Sequence, residues 1–238
     1  MPLDLDPDRV CRIGNALLIH GDCAAYAGLL LEAQAIVTDP PYGIGYRVNQ
    51  RARAGRGALL KATKETETQA VEAIEGDDHP FYPEPWLRCE RAAFFGAQHF
   101  SDRLPVGRWL VWDKRRESKP DDHSDGELVW MTGDSKEALR IHRQKWRGVV
   151  REGEENCSRS KKLHPNQKPV ALLTLILEKL ALAPGETVAD PYMGSGSTAV
   201  AALRMGLRFI GCEVDRQHYE IARARLGAEF GSTGGGGV

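Results

Sequence analysis

The last third of the chain alternates short apolar runs with helical ones, and that alternation leaves few folds open. Thr187 to Asp190 has the β-branched and apolar character of a strand, and Pro191 to Gly196 supplies a glycine loop. Ser197 to Met205 then carries helical periodicity and stops at Gly206, Leu207 to Cys212 returns to strand character, and Arg216 to Leu226 is helical again. Strands joined through a helix pair in parallel, because the crossover brings the chain back to the edge where the first strand began. The βαβα unit therefore predicts a mainly parallel sheet with helices on both faces, the α/β class.

Further apolar runs extend this sheet. Ala35-Ile36-Val37-Thr38 reads as a buried strand that ends at Asp39-Pro40-Pro41, where two prolines forbid continued pairing. Ala92-Ala93-Phe94-Phe95-Gly96 and Trp109-Leu110-Val111-Trp112 read as two more, the second closing on Asp113-Lys114-Arg115-Arg116. From Pro169 the apolar positions Leu172, Leu173, Ile176, Leu177 and Leu180 mark a helix that stops at Pro184-Gly185.

With 238 residues, 42% of them hydrophobic, the chain can bury one substantial core, so residues 1–230 are expected to form a single domain. The glycine-rich end, 231–238, reads as a disordered tail. The five cysteines are scattered, with no Cys-x-x-Cys pair to suggest zinc or redox chemistry, and no metal is expected. No stretch is apolar enough for a membrane span and the N-terminus lacks a signal peptide's order, so no membrane partner and a cytoplasmic location are expected.

A formal net charge of -1 gives no overall sign of a polyanionic partner, so any nucleic-acid surface must come from local segregation of charge. Arg47 to Lys64 holds six bases and no acid, while Glu65 to Asp78 holds six acids and no base. Together they suggest a mobile insertion over about 47–79. A second basic stretch, Lys136 to Lys162, carries nine Lys or Arg against four acids. Solvated loop and helix faces would look the same in sequence.

Two segments carry chemistry. In Asp190-Pro191-Tyr192-Met193-Gly194-Ser195-Gly196-Ser197-Thr198 the glycines lie between a strand and a helix, where a ligand can approach the backbone. The next strand ends in Glu213, from which a carboxylate can accept bonds from both hydroxyls of a ribose. The loop has neither the Gly-Lys-Ser/Thr ending of an NTPase loop nor the dinucleotide Gly-x-Gly-x-x-Gly, so a ligand with ribose but no phosphate fits better. A tight turn is the competing explanation, which Glu213 makes less economical.

Asp39-Pro40-Pro41-Tyr42 is the sharper signal. The exocyclic amine of a nucleobase is a poor nucleophile, because its lone pair is delocalised into the ring. Reaction there needs acceptors that favour the pyramidal form, and the Asp39 carboxylate with a backbone carbonyl freed by proline would supply two. Tyr42 would offer a face on which an extruded base can stack.

This pairing of motifs resembles the amino-methylating DNA methyltransferases, whose catalytic motif is Asp/Asn/Ser-Pro-Pro-Tyr/Phe and whose Phe-x-Gly-x-Gly loop binds S-adenosylmethionine. The catalytic motif precedes the cofactor loop, as in the family's permuted β group, and the resemblance covers most of residues 13–226. Gly21-Asp22-Cys23 is similar to the early motif whose acid and its neighbour contact the cofactor's adenine. His164-Pro165-Asn166-Gln167-Lys168-Pro169 is similar to the segment bordering the methionine moiety. Tyr192 stands where phenylalanine is usual, and Asn166 where threonine is common.

The resemblance implies a Rossmann-like fold with a seven-stranded, mostly parallel sheet that brings Asp39 and Asp190 to adjacent strand ends. It implies catalytic roles for Asp39, Pro40, Pro41 and Tyr42. Cofactor contacts would fall to Asp22, Cys23, Asp39, Lys168, Asp190, Tyr192, Gly194, Gly196, Ser197, Thr198 and Glu213. The expected reaction moves a methyl group from S-adenosylmethionine to the N6 amine of adenine in a flipped-out base of double-stranded DNA. N4 of cytosine is the alternative, and Asp at position 39 favours adenine.

Methylation of a protein glutamine or an RNA amine would more usually begin its motif with Asn, and a DNA-binding module with a dead site would not keep both motifs. By the same resemblance a small segment at about 114–162 would recognise sequence, with Gln144 or Asn156 as adenine readers. A bacterial or phage restriction-modification setting and a homodimer are also implied.

Overall fold

The computed structural model describes residues 6–44, 76–115, 124–147, 150–151 and 167–231. Two units are distinguished by their internal contacts: Met1–Pro40 with Tyr82–Val238, and Pro41–Phe81.

In the larger unit the strands are β1 (Val10–Ile13), β2 (Ala16–His20), β3 (Ala35–Thr38), β4 (Arg91–Phe95), β5 (Arg108–Asp113), β6 (Gly126–Met131), β7 (Arg140–Arg143), β8 (Trp146–Arg147), β9 (Val150–Arg151), β10 (Thr187–Asp190) and β11 (Arg208–Glu213). The helices are α1 (Ala27–Leu30), α2 (Val170–Lys179), α3 (Ser197–Arg204) and α4 (Arg216–Phe230). Among the described residues nine strands form one sheet in the order β1-β2-β11-β10-β3-β4-β6-β5-β7, and β8 and β9 form a separate antiparallel pair.

The sheet is mixed and mostly parallel: β2, β11, β10, β3 and β4 run side by side in parallel, and β7 runs parallel to β5. Antiparallel pairing is confined to the β1-β2 hairpin and to β6, which lies between β4 and β5. The seven strands implied by the family resemblance are corrected to nine. β1 is added because Gly14-Asn15 closes a two-residue hairpin, Gly14 taking the positive φ of 54° that such a turn requires. β7 reads Arg-Ile-His-Arg and lies mostly exposed at the opposite edge, so it lacks the continuous apolar run of a central strand.

The central strands are apolar because they are covered. Every residue of β3 and β10 is buried, as are Ala92 to Phe95 of β4. Beyond β4 the core is aromatic on both faces of the sheet: Phe94 stacks on Trp130 with ring centroids 5.5 Å apart, and Trp112 is buried on the opposite face. α2 starts behind Pro169, whose missing N–H costs nothing at a helix start, and buries Leu172, Leu173, Ile176 and Leu177. α4 is capped by the Asp215 carboxylate, which accepts the His218 N–H at 2.8 Å, and it buries Tyr219, Ala222 and Leu226 on one stripe. Among the described residues no helix is long and apolar enough to cross a membrane.

Candidate functional site

Because β2, β11, β10, β3 and β4 run in parallel, their C-terminal ends share one edge of the sheet. That edge carries Gly21-Asp22-Cys23 after β2, Glu213 at the end of β11, Asp190 at the end of β10 and Asp39 just past β3. The connections leave β10 and β3 in opposite directions, towards β11 and towards β4. Ligands of open α/β sheets bind at such a reversal, outside the carboxyl ends of the strands.

Next to α3 the glycine loop is held from both sides. The Met193 N–H donates to the Cys212 carbonyl at 2.8 Å, and the Gly194 N–H donates to Glu213 Oε2 at 2.7 Å. Glu213 Oε1 accepts the Asp215 N–H at 2.9 Å. Burial raises the Glu213 carboxyl above the ordinary range, against the opposing pull of these two N–H donors. Gly194 and Gly196 both have positive φ, 54° and 77°. A Cβ built on Gly194 would meet nothing within 4 Å, so this turn is open to a ligand, whereas at Gly196 it would press on Ala222 at 3.1 Å. Gly194 thus leaves open space at the turn, and Gly196 lets α4 pack closely.

Asp22 is exposed and caps a short turn by accepting the Ala24 N–H at 2.9 Å. Cys23 and Tyr192 share a side-chain hydrogen bond, and burial pushes the Cys23 thiol up to about 11, so it stays protonated. Ser197 and Thr198, two of the expected cofactor contacts, are buried at the start of α3, and their hydroxyls bond within the fold. Arg225 donates to Ser197 Oγ at 3.0 Å, and Thr198 Oγ1 donates to Asp190 Oδ2 at 2.7 Å.

Asp190 braces the two central strands. Its Oδ1 accepts from Thr38 Oγ1 at 2.6 Å and from the Tyr192 N–H at 3.1 Å, linking β3, β10 and the loop. Burial outweighs these bonds, with the charge of Asp39 adding to it, and the Asp190 carboxyl is pushed up to about 6. The folded state therefore holds this proton more tightly than the unfolded chain. The stability it contributes is present at acid pH and lost as pH rises through about 6, a change on the order of 3 kcal/mol. Thermal unfolding followed across that range should show the decline in the wild type and a flatter profile in Asp190→Asn.

Asp39 is held by a buried lysine. Lys168 Nζ donates to Asp39 Oδ2 at 2.5 Å, lies 3.1 Å from Glu127 Oε1 and sits 5.4 Å from the centroid of the Phe95 ring. Glu127 Oε2 in turn accepts from Lys114 Nζ at 2.6 Å. Burial opposes charge on both central members. Even so, Asp39 and Glu127 hold the Lys168 ammonium above its ordinary value, and Lys168 and Lys114 hold the Glu127 carboxyl well below its own.

In the smaller unit, Asp77 Oδ1 accepts the backbone N–H groups of Tyr42, Gly43 and Ile44 at 2.9, 2.8 and 3.3 Å. Gly43 is required there, since its φ is 74° and a Cβ would lie 2.5 Å from the His79 carbonyl oxygen. One acid at the end of the acidic run thus organises the turn that carries Tyr42.

Sequence reasoning missed Glu127, Thr38 and Asp77. Glu127 was findable as a lone acid in the apolar stretch Gly126–Met131, and Thr38 as the single hydroxyl in β3. Gln144, expected to read adenine, is buried with its amide oxygen 3.2 Å from His142 Nε2. The Arg47 to Lys64 run, Asn156 and His164 to Asn166 lie outside the described residues.

A family profile described as DNA methylase matches residues 33–224. The type II methyltransferase M2.DpnII of Streptococcus pneumoniae is 32% identical over 147 residues, which cover 60% of this chain and 50% of that protein. M2.LlaDCHI of Lactococcus lactis subsp. cremoris is 31% identical over 151 residues, covering 61% and 51%. The chain spans about half the length of these curated relatives. In fold it is similar to the TTHA0409 protein of Thermus thermophilus, solved with S-adenosyl-L-methionine, with a TM-score of 0.51, 14% identity, and coverage of 90% of this chain and 94% of that one.

Proposed function

Because the chain belongs to the DNA methylase family matched over residues 33–224, we propose that it is an S-adenosylmethionine-dependent methyltransferase acting on the N6 amine of adenine in double-stranded DNA. The observation that carries this reading is the pair of carboxylates at adjacent strand ends. Asp39 follows β3, Asp190 closes β10, and Thr38 ties the two strands together by its bond to Asp190.

The residues at the glycine loop fit the cofactor. Glu213 presents a buried carboxylate suited to ribose hydroxyls, the turn at Gly194 is open, and exposed Asp22 stands at the end of the neighbouring strand. When bound there, S-adenosylmethionine supplies an electrophilic methyl group on a sulfonium. Asp39 accepts a hydrogen bond from the target amine and so favours the pyramidal form whose lone pair can attack. It also offsets the positive charge that develops on the nitrogen. Pro40 and Pro41 keep N–H donors away from the amine, and Tyr42 is the proposed stacking face for the extruded base. Lys168 holds Asp39 in place through the ion pair to its Oδ2.

Aspartate at position 39 supports adenine as the target base. The protein should transfer tritium from labelled S-adenosylmethionine to unmethylated genomic DNA, with the label recovered in N6-methyladenine after digestion to nucleosides. Label in N4-methylcytosine would keep the mechanism and change the base. A lack of label in DNA would overturn the reading.

A further inference from the structure

We propose that Glu127 is a positioning residue: acting through Lys168, it fixes the orientation of the Asp39 carboxylate. This rests on the reading of Asp39 as the acceptor of the target amine.

Four side chains from separate parts of the sheet form a row of alternating charge, Asp39, Lys168, Glu127 and Lys114. Asp39 follows β3, Lys168 precedes α2, Glu127 lies on β6 and Lys114 follows β5. The antiparallel direction of β6 is what brings Glu127 to the functional edge. It pairs with Trp112 near the start of its strand, level with the C-terminal end of β5. On a parallel strand, a residue so early in the run would lie at the opposite edge.

A buried lysine with one partner can pivot on its four-carbon stem, because an ammonium is a point charge with no fork to fix its direction. Here a second carboxylate, only 5% exposed, stands 3.1 Å from the ammonium and restrains it between two points, with the Phe95 ring nearby. Lys114 balances that second carboxylate and is itself 4.6 Å from the centroid of the Trp112 ring. The row is neutral as a whole, and among the described residues the charged Lys168 has Asp39 and Glu127 as its ion partners. Asp190 lies beyond Asp39, whose charge adds to burial in raising the Asp190 carboxyl. A salt bridge placed only for stability needs one partner for Lys168; the pair of carboxylates with a balancing cation fixes where the ammonium, and therefore Asp39, must stand.

The test compares wild type, Glu127→Gln and the charge-balanced pair Glu127→Gln with Lys114→Gln. Turnover at saturating S-adenosylmethionine should fall roughly 10-fold in both variants, with cofactor affinity unchanged. The alkaline limb of the turnover profile should move to lower pH, since Lys168 has lost one of two counterions. Wild-type turnover with an unmoved limb in either variant, or recovery in the double variant, would overturn the proposal. If the single variant does not fold, the double variant leaves no unpaired Lys114 and carries the test alone.

A readout that needs no DNA separates this inference from the proposed function. The nitrogen-15 signal of the Lys168 ammonium should be protected from exchange in wild type and lose that protection in the double variant. Equal protection in both would sink the positioning role even if the enzyme is active. A wild type that methylates no DNA would sink the proposed reaction instead.

Discussion

Replacing Asp39 with alanine is expected to lower kcat by about 1000-fold while leaving the affinity for S-adenosylmethionine unchanged. On the proposed reading the cofactor is cradled by Glu213 and the Gly194 turn, with Asp190 bracing them through Thr38 and Thr198, and the Asp39 carboxylate serves the target amine. It acts on the amine, whose nitrogen gains positive charge only as the methyl group arrives. Loss of an interaction that strengthens in the transition state appears in kcat and not in binding. The fold should survive, because Lys168 keeps Glu127 as a counterion 3.1 Å away. Single-turnover transfer and calorimetric binding of cofactor, measured on the same preparation, check both halves. A variant that loses cofactor affinity and kcat together would place Asp39 in the cradle. Asp39→Asn keeps the volume and one acceptor oxygen but removes the charge, so a rate between alanine and wild type would measure how much of the effect is electrostatic.

Much of the functional edge was legible in the sequence because it is local. β3 and β10 each read as a short apolar run closed by an acid and a proline, and both strands match those bounds. A glycine loop followed by a helix is equally local, which is why Gly194, Gly196 and Glu213 could be placed together. The missing parts depend on pairings between distant segments. β6 carries Glu127 at its start, and only its antiparallel register against β5 reveals that this acid lies at the same edge as Asp39. The bonds of the Ser197 and Thr198 hydroxyls also cross between elements. Their partners, Arg225 and Asp190, lie 28 and 8 residues away. Tyr42 shows the same limit, since its turn is organised by Asp77, 35 residues further on.

Replacing Glu213 with glutamine is expected to weaken S-adenosylmethionine binding, with kcat at saturating cofactor close to that of wild type. The carboxylate serves two partners at once. It accepts the Gly194 and Asp215 N–H groups, which order the loop, and its remaining lone pairs are suited to ribose hydroxyls. A glutamine amide keeps one acceptor oxygen but turns an NH2 group towards a backbone N–H, so one of the two loop bonds becomes a meeting of donors. Hydrogen bonds to a charged acceptor contribute about 1.5–3 kcal/mol, so the loss is roughly 10- to 150-fold in Kd. Acidification should mimic the substitution. Burial raises the Glu213 carboxyl above its ordinary value, so cofactor affinity should fall as pH drops through that raised value, earlier than an exposed glutamate would allow. Titration calorimetry on both proteins across that range decides it: the wild type should lose affinity on acidification, and the glutamine variant should start low and stay level. A variant that binds as tightly as wild type would mean that the ribose is held elsewhere, with Asp22, the exposed acid at the neighbouring strand end, the next residue to replace.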